Sequence, residues 1–84
     1  MPTISRFHGI AIRMYLLSSE HNPPHIHAIY GEDAAAIMIQ TGELLDGDLP
    51  SKAMKFVLEW IALHRDELLA IWNTQEFHEV EPLQ

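Results

Sequence analysis

Eighty-four residues, 48% of them hydrophobic and 20% charged, are enough for one compact domain with a single core and too few for two. The absence of cysteine removes disulfide scaffolds, thiol nucleophiles and thiolate zinc sites, so any metal must be held by His, Asp or Glu. A net charge of −7, with only Arg6, Arg13, Lys52, Lys55 and Arg65 against twelve acids, argues against tight binding to duplex nucleic acid, which needs clustered cations; an RNA-cleaving site needs local charge only and stays open.

The stretch Met1 to Phe7 has no basic region leading into a long apolar run, and nowhere do about eighteen apolar residues stand together, so a cytoplasmic, non-membrane protein is expected. From Ile10 to Leu17 the chain alternates, placing Ile10, Ile12, Met14 and Leu16 on one face and Ala11, Arg13, Tyr15 and Leu17 on the other, which predicts a strand with the first set inward. Ser18 to Pro24 is a loop stiffened by two prolines. His25 to Tyr30 alternates again, Gly31-Glu32-Asp33 turns the chain, and Ala34 to Gln40 predicts a third strand. Leu44-Leu45, between Thr41-Gly42-Glu43 and Asp46-Gly47-Asp48, fits a very short fourth strand.

Asp48 or Ser51 can cap a helix with Pro50 in its first turn, and the pattern runs to about Asn73 with no Gly or further Pro. Met54, Val57, Leu58, Ile61, His64, Leu68 and Trp72 make its apolar stripe, while Lys55, Glu59, Asp66 and Glu67 look to water. Residues 74–84 form an acidic tail, frayed or docking. The expected architecture is α+β: one domain over 1–84, with an antiparallel meander of three to four strands over about 3–46 and one long C-terminal helix over about 50–73 packed on one face. A chain this short buries only about 60% of its unfolded surface, so self-association or a protein partner is also expected.

Three of the six histidines fall within His21-Asn22-Pro23-Pro24-His25-Ile26-His27. His-X-His on a strand puts both imidazoles on one face, with Cα atoms roughly 6.5–7 Å apart, a spacing suited to chelating one divalent metal. The plain alternative is a pair on a solvated sheet face; His21, held nearby by two prolines, tilts the balance to function. If Ile26, Ala28 and Tyr30 face the core, the histidines share the open face with Arg13, Tyr15, Ala34, Ala36 and Met38, an apolar strip that a partner can cover. The reverse register would point them at the helix and His64. His64, inside the helix stripe, is on its own more simply a packing residue, and Trp60 and Trp72 read the same way.

Several strings together resemble a known family: Ile4-Ser5-Arg6-Phe7, Gly9-Ile10, Met14-Tyr15, the histidine segment, Tyr30-Gly31-Glu32, Gly47-Asp48-Leu49-Pro50, Glu59-Trp60 and Leu63-His64-Arg65-Asp66-Glu67-Leu68. From Pro2 to about Trp72 the chain resembles the family called domain of unknown function 4160. The resemblance implies a small bacterial protein, often encoded beside a member of domain of unknown function 2442, in an arrangement similar to toxin–antitoxin pairs. His21, His25, His27 and His64 stand at motif positions, which raises His64. His8 stands where an aromatic residue is usual, and His78 lies outside the motifs.

Three functions stay open. In the first, a toxin-like member of a two-gene module acts through His21, His25, His27 and His64, with RNA as a candidate target and Arg13 or Arg6 as the cation near phosphate. In the second, the chain is a protein-binding or regulatory module without catalysis, docking a domain of unknown function 2442 protein or a second copy of itself. In the third, His25 and His27 with His21 or His64 hold a divalent metal such as zinc, with Glu20, Glu32 or Asp33 as further donors.

Overall fold

The computed structural model describes residues 3–14 and 23–83. Five strands, β1 (Thr3–Phe7), β2 (Ile10–Arg13), β3 (His25–Tyr30), β4 (Asp33–Met38) and β5 (Leu44–Gly47), precede one helix, α1 (Ser51–Thr74). The strands pair antiparallel in sequence order, β1-β2-β3-β4-β5. The architecture is the expected α+β meander with a long C-terminal helix, carrying one strand more than the three or four expected.

Short turns set the register. His8 and Gly9, both at positive φ (50° and 79°), form the two-residue turn that joins β1 to β2 in the twist favoured by hairpins. Gly31 and Glu32 do the same between Tyr30 and Asp33. Ile12, Ala28 and Ala35 stand opposite one another across β2, β3 and β4, as do Ile26 and Ile37 across β3 and β4. All five are buried, so this is the core face. Trp60 of α1 is fully buried and meets Phe7 with ring centroids 5.5 Å apart. The opposite face carries Thr3, Arg13, His27, Ala36 and Asp46 in one row, and Arg6, Ala11, Ile29 and Ala34 in the next.

The helix departs from the predicted stripe in two ways. Its N-cap is Pro50 with no side-chain cap; Asp48 Oδ1 accepts from the Leu49 backbone N–H (2.9 Å) rather than from a later amide, and Ser51 is already helical. Leu58 is 37% exposed, whereas Trp60 and Ile71 are buried. His64, at φ −119° and ψ 19°, breaks the helical geometry, yet Ile61 and Leu68 on either side of it are both buried, so the apolar face continues past it. The C-terminus closes regularly, with Gln75 left-handed and its N–H donating to the Ile71 carbonyl (2.8 Å).

The acidic tail docks rather than frays. Val80 is buried and its N–H donates to the Ile4 carbonyl (2.6 Å), while the Trp60 indole N–H donates to the Glu81 carbonyl (2.9 Å). These bonds cover the outer side of β1, which would otherwise be a bare sheet edge. Among the described residues, no helix is long and apolar enough to cross a membrane.

Candidate functional site

β3 begins where the two prolines end. Pro23 offers a carbonyl oxygen, and His25 Nδ1 lies 2.9 Å from it. A carbonyl can only accept, so His25 carries its proton on Nδ1 and keeps the Nε2 lone pair for a proton, a metal or a substrate hydroxyl. The His25 ring is buried, 5.1 Å between centroids from Trp72 of α1 and 5.0 Å from His27. Trp72 thus does more than pack the helix: its indole is one wall of the site. Neither the Nδ1 bond nor the Trp72 wall had a sequence signal: every residue carries a carbonyl, and Trp72 read only as a packing residue.

The register is the open-face one for both histidines: His25, His27 and Ile29 share the face opposite buried Ile26 and Ala28. His27, half-buried, lies on the open face directly opposite Arg13 on β2 and Ala36 on β4. His25, next to it and opposite Met38, reaches the helix through Trp72. Arg13 Nε is buried and finds no acceptor among the described residues. A guanidinium N–H withdrawn from water without an acceptor is costly, and an anion arriving beside His27 would satisfy it. Ala34, Ala36 and Met38 share this face, as expected from their alternation.

The remaining candidates are elsewhere. His64 Nδ1 is 3.5 Å from Glu67 Oε1, and its ring is 5.5 Å from that of Trp60. It precedes Trp72 by eight residues, about 12 Å along a helix. His78 of the tail reaches the other oxygen of Glu67 at 3.8 Å, so His64 belongs to a helix–tail contact. Arg65 beside it donates from Nε to the Ile39 carbonyl (3.0 Å) and ties the kinked helix to the end of β4. Glu32 and Asp33 lie at the other end of β3, on the order of 16 Å from His25 at a strand's rise. His21, Glu20 and Tyr15 lie outside the described residues. Among the described residues, no group of three His, Cys, Asp or Glu side chains is placed to hold a metal ion.

A family model matches residues 9–73, from the β1–β2 turn to the last turn of the helix, and so spans β2, β3 and both site histidines. The chain belongs to the family described as Domain of unknown function (DUF4160). The match starts at Gly9, later than the Pro2 at which the resemblance was placed, and leaves out β1 and the tail, the two segments joined by the Val80–Ile4 hydrogen bond. Comparison of this DUF4160 chain with curated proteins and with solved structures gave no match.

Proposed function

We propose that this DUF4160 protein is the toxin-like member of a two-gene module and cleaves RNA on the open face of its sheet. The observation that carries the reading is the triad of neighbours His25, His27 and Arg13: imidazoles 5.0 Å apart, one with its tautomer set by Pro23, and a guanidinium across the ladder from the other. In this reading His25 Nε2 accepts the proton of a ribose 2′-hydroxyl as its oxygen attacks phosphorus. The P–O5′ bond breaks, and protonated His27 delivers a proton to the departing 5′-oxygen, leaving a 2′,3′-cyclic phosphate. Arg13 binds the phosphoryl oxygens as negative charge builds on them. The acidic chain holds the scissile phosphate locally, through this cation, and the apolar strip Ala34, Ala36 and Met38 supplies a surface for the module's second protein.

Induced expression in a bacterial host tests it. Growth should slow, cellular RNA should acquire 2′,3′-cyclic phosphate ends, and His25→Ala should abolish both. If expression leaves growth unchanged and the His25→Ala strain is indistinguishable from it, the reading fails.

One observation also favours a metal. An imidazole whose Nδ1–H is held by a carbonyl is oriented as metal-bound histidines usually are. His25 and His27 would supply two donors and His21, outside the described residues, the third, with an open position for water on a zinc ion. Metal analysis of untagged protein purified without chelator decides it: stoichiometric metal that disappears in His27→Ala supports this reading, and no stoichiometric metal in the parent chain removes it.

A further inference from the structure

A cavity lies away from the histidine pair, at the opposite end of β3. It encloses about 290 Å³ between the β1–β2 turn, the end of β3 and the first turns of α1, and is lined by His8, Tyr30, Pro50, Lys52, Ala53 and Phe56. We propose that it is a nucleotide subsite, taking a base against its aromatic rings and the attached phosphate on Lys52. The proposal deepens the RNA reading and rests on it for its biological role, although the binding it states can be measured alone.

Three features carry it. The first is charge. In a chain with twelve acids and five Lys or Arg, this cavity is lined by one lysine and no carboxylate. Other surface cavities, beside Asp66 and Glu67, beside Glu79, and beside Glu81, each include acid. An anion is therefore accepted here with less repulsion than at those sites.

The second feature is the rings. His8 lies nearly parallel to Phe56, with centroids 4.5 Å apart and planes at 18°. Only one face of His8 is spent on that stack. Tyr30 is 39% exposed, a large ring packed against Gly9 and partly open at the mouth of the same cavity. Exposed aromatic faces beside a cation are the parts from which sequence-tolerant binding of single-stranded nucleic acid is built.

The third is the backbone at His8. Its φ of 50° places a non-glycine residue in the left-handed region, a conformation asparagine adopts more readily in this turn. The chain keeps a ring there, over the cavity. The cavity opens on the helix side of the sheet, on the order of 16 Å along the strand from His25, so RNA held here passes round the end of the sheet to reach the open face and the held base takes no part in the reaction.

Titration of the ¹⁵N-labelled full chain with adenosine 5′-monophosphate, adenosine and inorganic phosphate tests the proposal. The monophosphate should shift Tyr30, Lys52 and Phe56 saturably and bind more tightly than either fragment. Tyr30→Ala and His8→Asn, the latter keeping a turn-compatible residue, should each weaken it at least about fivefold, the lower end for one base–aromatic stack. Lys52→Gln, a surface change that leaves the fold intact, should weaken the monophosphate and leave adenosine unaffected.

Shifts confined to Arg13, His25 and His27, equal affinity in Tyr30→Ala, or phosphate binding as tight as the nucleotide would each overturn it. His25→Ala should leave the titration unchanged. Nucleotide binding at Tyr30 without any RNA cleavage defeats the RNA reading and keeps the subsite; cleavage without that binding does the reverse.

Discussion

The β4–β5 ladder can be tested with a pair of alanine substitutions that separate backbone strain from overlap. Gly31 and Gly47 both sit in the left-handed region, at φ +61° and +73°. A Cβ on Gly31 would meet nothing within 4 Å, whereas one on Gly47 would lie 2.1 Å from the Ala34 carbonyl oxygen and 3.1 Å from Ala35 Cα. Gly31→Ala therefore carries only the conformational term, about 1–2 kcal/mol. Gly47→Ala carries the same term and must also push β5 away from β4. That displacement strains the ladder by about 1–3 kcal/mol. It also threatens the hydrogen bond from the Asp48 N–H to the Ala34 carbonyl (3.1 Å), about 1 kcal/mol more.

The sums are about 1–2 and about 3–6 kcal/mol, against a total stability of roughly 4–12 kcal/mol for a chain of this length. At about 4–8 °C per kcal/mol, thermal denaturation followed by circular dichroism should place Gly47→Ala well below Gly31→Ala. Amide exchange in β4 and β5 should rise in the first variant only. Two variants equal within about 0.5 kcal/mol would refute the overlap and the register behind it.

Arg13→Met should remove RNA cleavage while leaving stability unchanged or raised, because it deletes a buried donor that has no acceptor among the described residues; a loss of more than about 1 kcal/mol in urea denaturation would mean that Arg13 is structurally paired. Val80→Asp puts a carboxylate where an apolar side chain is buried, and should undock the tail, lower stability by about 2–3 kcal/mol and shift Trp60 fluorescence to the red; unchanged emission would count against the tail contact. Arg65→Met should cost about 1.5–3 kcal/mol through the lost charge-assisted bond to Ile39, read as a fall in urea midpoint at constant slope.

Where alternation was uninterrupted, local pattern was enough to read the fold. β3 runs from His25 to Tyr30 as its period predicts, and Ala34, Ala36 and Met38 share a face with the histidines. β1 was not legible because its register shifts between Thr3 and Ser5, so that Ile4 and Ser5 are both buried and the two-residue period is lost. The helix stripe was legible at Val57, Ile61, Leu68 and Trp72, buried on both sides of the break at His64, whereas at Leu58, which is exposed, and Trp60, which is buried, apolar spacing alone did not choose the inward residue. At the candidate site, the pairing of His27 with Arg13 follows from register. The Trp72 wall depends on where a kinked helix ends relative to a twisted sheet, which is a tertiary fact.

The hydrogen bond from Val80 to Ile4 joins residues near the two ends of the sequence. During synthesis the strand that holds Ile4 leaves the ribosome well before the segment that covers it. At about 5–20 residues per second, the outer backbone of β1 faces solvent for several seconds before the segment that covers it is available. A short C-terminal truncation would not simply trim the tail; it would make that transient edge permanent.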